Sequence, residues 1–278
     1  MKKQTENSQK QETMTPKECM ELAKDILKKP LGTAKYSLNR IASSDLSSSE
    51  KAMVQIGVCY ETIEEQKKHS GSDLEELCMI YQVLKKEESV NPFEKKEKYL
   101  REVTRSMINA GVWQYESREQ IKKEFEKTND KSGFEDLVGV LAGTIHWNRS
   151  STPALSYLIE GYEISKKIDN YKSGEIEYGI FRELDSCCPS HGVVHNLIDT
   201  LAKHSDIKLL KKVAEKSEKI NLFCAYSAYK HLGDNESCER IAATAKRVMP
   251  KEDYKRFIER YQLANKLLSP KERLLMNF

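Results

Sequence analysis

Residues 222–250, LFCAYSAYKHLGDNESCERIAATAKRVMP, read as two short amphipathic helices hinged at Leu232-Gly233-Asp234. Gly233 follows a helix-forming run and precedes Asp234. That order suits a left-handed helix stop followed by the N-cap of a second helix. Small residues at Cys238, Ala242, Ala243 and Ala245 would let the second helix lie close against the first, and Pro250 stops it. Neither helix can bury its apolar stripe alone, so the pair requires neighbours on both sides.

The segment resembles a tetratricopeptide repeat, a helical hairpin of about 34 residues. On that pattern Tyr229 stands at the tyrosine of the first helix and Leu232-Gly233-Asp234 at the turn. Cys238 stands at the small residue opening the second helix, Ala245 at the later alanine and Pro250 at the closing proline. Leu222, Ala225 and Tyr226 depart from the family's early Trp, Leu and Gly, and Ala242 replaces the second-helix aromatic. A shorter echo, Ile56-Gly57-x-x-Tyr60, lies upstream. The resemblance implies an all-α chain of stacked antiparallel helical hairpins, a tetratricopeptide-like α-solenoid that presents a groove to a protein or peptide partner.

Composition points the same way. Of 278 residues 38% are hydrophobic and 32% charged, enough for a core under a well-solvated surface. Gly and Pro number only 12 and 7, and runs of alternating β-branched residues are scarce. The opening MKKQTENSQKQET has lysines but no apolar stretch behind them, so residues 1–13 read as a disordered tail ahead of a helical-repeat domain over 14–278. The longest apolar run, LVGVLAGTI at 137–145, falls far below the roughly 20 residues a membrane helix needs. Seven cysteines, an odd number at scattered positions such as Cys19, Cys59 and Cys78, predict free thiols in a reducing, cytoplasmic setting.

Helix signals recur along the chain. Thr15-Pro16-x-Glu18 opens a helix; a second is expected over 31–42; Ser47 and Glu50 have capping-box spacing ahead of a third, over 48–69. Asn91-Pro92 opens a helix to Gly111, and TNDKSG at 128–133 reads as a polar break before a helix in which Gly139 and Gly143 invite a close neighbour. From Thr152 onward three hairpins are expected, over 153–185, 191–218 and 219–250. A capping helix then spans 252–268, and Pro270 begins a short terminal one. A subdivision near 148–152 is compatible with this order.

Catalytic motifs are missing: there is no phosphate-cradling glycine loop and no nucleophile elbow, and no cofactor is implied. Cys188, His191 and His195 are candidate metal ligands, because two histidines four apart share a helix face. Gly192 occupies the place of the glutamate that follows the first histidine in zinc-hydrolase helices, and the preferred reading is that Cys188 packs in a turn and the histidines are ordinary polar or half-buried residues. Charge is uneven: residues 203–276 carry 17 Lys/Arg against 10 Asp/Glu, a net of +7, and the remainder is −4. Lys246, Arg247, Lys255 and Arg256 are therefore candidate partner-binding residues. Tyr226, Tyr229, Tyr254 and Tyr261 are either core or stacking platforms for bases. The leading functional reading is a non-catalytic scaffold for a protein partner. The alternatives are a nucleic-acid-binding repeat protein using the basic C-terminal third, and a metal-dependent enzyme using the Cys188/His191/His195 cluster.

Overall fold

The computed structural model describes residues 14–28, 33–66, 73–86, 96–143, 153–168, 174–186 and 190–263. Among these every element is helical, fourteen helices and no strand. The chain divides into two compact units, residues 1–137 and 138–278. The expected tail over 1–13, the subdivision at 148–152 and the terminal helix at Pro270 lie outside the described residues.

The first unit contains α1 (Pro16–Leu27), α2 (Ala34–Ala42), α3 (Ser48–Gln66), α4 (Leu74–Lys86), α5 (Lys96–Gly111) and α6 (Tyr115–Thr128), and it ends within α7 (Lys131–Gly143). Capping chemistry fixes the first starts. Thr15 and Glu18 exchange hydrogen bonds as a capping box, and Glu50 accepts the Ser47 backbone N–H at 3.0 Å while Ser47 Oγ accepts the Glu50 N–H at 3.4 Å. Each helix packs on the next and on the next but one: α1 on α3, α2 on α3 and α4, α3 on α4 and α5, α4 on α5 and α6. At Gly57 of α3 a Cβ would stand 3.0 Å from both the Ala23 Cβ and the Met20 Sδ, so α1 crosses α3 closely enough that a larger residue would require these neighbours to shift. The close approach expected at Gly139 and Gly143 is not made by any described atom, since nothing lies within 4 Å of where their Cβ atoms would be.

The second unit holds the rest of α7, then α8 (Pro153–Ser165), α9 (Gly174–Ser186), α10 (His191–Lys203), α11 (Ile207–Ile220), α12 (Leu222–Leu232), α13 (Asn235–Val248) and α14 (Lys251–Tyr261). Its packing order is similar but less regular, with α11 most closely packed on α12 and α9 meeting α11 more than α10. Helix α8 lies on α9 and α10, α9 on α11, α10 on α11 and α12, α12 on α13. Helix α11 shows why: Leu209, Leu210, Val213, Ala214 and Ser217 recur at helical spacing and are all buried.

One turn is used four times. A left-handed residue (Asn129, Ser205, Gly233, Gln262; φ 50°, 54°, 69° and 54°) ends α6, α10, α12 and α14. Its N–H reaches the carbonyl three residues back, and the next residue's N–H reaches five back, as in Asp130 N to Phe125 O at 2.9 Å, Asp206 N to Leu201 O at 3.0 Å and Asp234 N to Tyr229 O at 3.0 Å. In three of the four the next residue is aspartate, whose Oδ1 accepts an N–H three residues on, from Gly133, Leu209 and Ser237 at 3.2, 3.1 and 3.0 Å. This corrects two expectations. The polar break at 128–133 is only the Asn129-Asp130 turn, because the Asp130 cap lets Lys131, Ser132 and Gly133 form the first turn of α7. The capping helix ends at Tyr261 rather than Leu268, because Gln262 adopts the left-handed stop.

Candidate functional site

Within the second unit, α10, the start of α12 and α14 bound a cleft of about 610 Å³, in the size range of ligand sites. It brings the candidates His191 and His195 together with Arg256, and adds Asn221, Phe223, Met249, Asp253, Glu259 and Arg260.

The histidines arrive on one wall because they stand one turn apart on α10. Asn221 is the N-cap of α12. Its Oδ1 accepts the N–H groups of Phe223 and Cys224 at 2.9 and 3.2 Å, which fixes the amide's orientation. Its Nδ2, able only to donate, meets His191 Nε2 at 2.7 Å. In the neutral ring His191 therefore accepts at Nε2 and carries its proton on Nδ1. His195 Nε2 is buried with no hydrogen-bond partner. Burial holds the His195 pKa below its ordinary value; the nearby Arg260 charge and His191 push it the same way, and Asp199 opposes them.

The floor is aromatic. Phe223 meets the Phe257 ring edge-on at 5.3 Å, Tyr226 lies 5.2 Å from Phe257 and 4.5 Å from Tyr261, and the Tyr261 O–H donates to Phe223 O at 2.6 Å. Tyr226, Tyr229 and Tyr254 are buried. The stacking-platform reading of these tyrosines is thereby corrected: Tyr226, Tyr254 and Tyr261 form the aromatic cluster with Phe223 and Phe257, and Tyr229 donates its O–H to Glu218 at 2.5 Å. Glu218 also takes the Arg240 guanidinium in two hydrogen bonds of 2.7 Å, so α11, α12 and α13 are tied through one carboxylate.

Charge on α14 is mostly matched by its own helix. Arg256 lies 3.6 Å from Asp253 and Lys255 lies 3.9 Å from Glu259. Arg260 is exposed, has no carboxylate within ion-pair range among the described residues, and stands 5.9 Å from the Tyr261 ring centroid. Lys246 and Arg247 are exposed in the last turn of α13 and do not line the cleft.

Of the candidate metal ligands, Cys188 lies outside the described residues. Among the described residues no group of three or more His, Cys, Asp or Glu side chains is placed to hold an ion. Cys224, beneath the cleft, is buried, and burial pushes its thiol up to about 11, so it stays protonated at neutral pH. No serine, threonine or cysteine is among the described residues lining the cleft. The lining offers imidazole, amide and guanidinium groups, the two carboxylates of Asp253 and Glu259, and the apolar Phe223 and Met249.

Arg260 belongs to the basic residues of the C-terminal third that the sequence offers as a surface for an acidic partner, whereas Asn221 and Met249 were not singled out by sequence. The only signal for those two was position, flanking α12 and α13 as caps. No described helix is long and apolar enough to cross a membrane. Comparison with known proteins returns no matching family model, no matching curated protein and no matching solved structure.

Proposed function

We propose that the chain is a tetratricopeptide-like helical-repeat scaffold, without catalytic activity of its own, that holds a partner polypeptide in the cleft between α10, α12 and α14. The observation that carries this reading is the packing order: α1 to α6 meet their next and next-but-one neighbours, and α8 to α12 do so in large part, as stacked antiparallel pairs do. The recurring left-handed turn followed by aspartate supports it, as does the resemblance of residues 222–250 to a tetratricopeptide unit. The described cysteines Cys19, Cys59, Cys78, Cys224 and Cys238 are buried thiols, in keeping with the reducing cytoplasm that the proposal assigns.

The test is affinity purification of the full chain from its native cell, in parallel with an Arg256→Glu/Arg260→Glu variant, after nuclease treatment. A polypeptide retained by the wild type and lost from the variant is expected. In a parallel purification without nuclease, retention of nucleic acid that is lost from a Lys246→Glu/Arg247→Glu variant would replace this reading with nucleic-acid binding. A cleft variant that retains the same proteins as the wild type would overturn it.

A further inference from the structure

Resting on the scaffold reading, we propose that the cleft recognises one carboxylate of an acidic and apolar peptide segment: Arg260 forms the ion pair, His195 Nε2 supplies a second hydrogen bond, and Phe223 and Met249 receive the neighbouring apolar side chain. The charge inventory carries the argument. Asp253 is matched by Arg256 and Glu259 by Lys255, whereas Arg260 has no anionic partner among the described residues. One uncompensated guanidinium fits one carboxylate. On α10, His191 Nε2 is held by Asn221, while His195 Nε2 is buried without a hydrogen-bond partner among the described residues. A buried polar atom without a partner is costly, so a ligand that reaches it gains what the free cleft forgoes.

The same inventory selects among anions. Asp253 and Glu259 line the cleft, so a run of phosphates would meet two carboxylates for each unmatched cation. A peptide presents its charge singly and can place a Leu, Ile, Phe or Met side chain beside it, which Phe223 and Met249 can cover. The carboxylate can belong to an Asp or Glu side chain or to a chain end; the chemistry is common to both. Arg256, Asp253 and Glu259 on α14, and His191 and Asp199 on α10, share the cleft or the helix with His195, so its titration will respond to them as well as to the ligand.

The experiment pans random heptapeptides on the immobilised full chain and on Arg260→Gln, in one format with a free C-terminus and in another with the peptide inside a loop. Arg260 is exposed and holds no ion pair, so this variant should keep the wild-type melting curve, which is checked first. Enriched peptides on the wild type are expected to carry Asp or Glu next to a large apolar residue in the loop format, or an apolar residue at a free C-terminus. Arg260→Gln should weaken a chosen peptide about tenfold, equivalent to about 1.4 kcal/mol, and Met249→Gln should weaken peptides according to the size of their apolar residue. In the wild type the His195 ring resonance should titrate at higher pH once peptide is bound. Peptides enriched without acidic bias, or equally on both proteins, would overturn the carboxylate assignment and leave the scaffold reading standing. No enrichment on either protein would overturn both.

Discussion

Tyr81 and Tyr162 perform the same task in different surroundings. Tyr81 of α4 donates its O–H to Asp130 Oδ2 at 2.6 Å, and Tyr162 of α8 donates to Asp206 Oδ2 at 2.6 Å. Four residues on, Lys85 and Lys166 each place an ammonium 3.3 Å from the same aspartate. In both cases that aspartate follows a left-handed residue and caps the next helix, so a helix is tied to a turn more than forty residues later. The setting differs. Asp130 is 8% exposed and Lys85 17%, with Thr128 Oγ1 also against the Tyr81 hydroxyl at 2.8 Å, whereas Asp206 is 19% and Lys166 32% exposed. Identical hydrogen bonds should therefore differ in what their loss does, because water can replace a partner at Asp206 more readily than at Asp130.

Removing the aspartates tests that difference most directly. Asp130→Ala would strand a buried hydroxyl and ammonium and should destabilise the first unit by about 3–5 kcal/mol, while Asp206→Ala should destabilise the second by about 1–2 kcal/mol. Hydrogen exchange read separately over α4 and α7 and over α8 and α11 measures each; equal losses would dissolve the distinction. Next come the tyrosines. Tyr81→Phe and Tyr162→Phe should each lose about 1 kcal/mol, with the larger effect at Tyr81, again by exchange over the same helices.

The turns sharpen the comparison further. Gly233→Ala should destabilise by about 1 kcal/mol, since φ of 69° crowds a Cβ against the following carbonyl. Ser205→Gly should stabilise by a few tenths of a kcal/mol, relief of that crowding outweighing the added freedom of the unfolded chain. Thermal melts order the pair, and a stabilising Gly233→Ala would show that the turn is not under this constraint. The smallest effect is acid sensitivity. Burial alone would raise the Asp206 pKa, but the Tyr162 O–H, the Leu209 N–H and Lys166 outweigh it and hold it below the usual carboxylate value. The folded state then binds its proton at lower pH than the unfolded one. The associated stability is present above about pH 3.9 and is lost as pH falls through the folded value. A melting-temperature series in acid should be flatter for Asp206→Asn than for wild type, and superimposable series would remove this contribution.

Sequence by itself determined that the chain is helical and where several helices start and stop. Those signals are local: the Thr15/Glu18 and Ser47/Glu50 caps, the Gly233-Asp234 turn and the 3.6-residue apolar stripes act over a few residues and are written in residue type. It determined the two histidines' shared face for the same reason. Asn129-Asp130 and Ser205-Asp206 were harder to see, because neither carries the glycine that advertises a left-handed stop, and the backbone conformation and aspartate caps of the folded chain reveal their likeness to Gly233-Asp234. The sequence also could not separate a stacking tyrosine from a core one: Tyr226 and Tyr254 look alike until Phe223 and Phe257 are brought against them. Tertiary structure alone decided that His195 would face Arg260 more than sixty residues away, and that Asn221 would occupy His191 Nε2 and leave His195 Nε2 without a partner among the described residues. Such pairings depend on which helix faces pack together, which is set by the sum of many small apolar contacts across the chain and is written in no single segment of it.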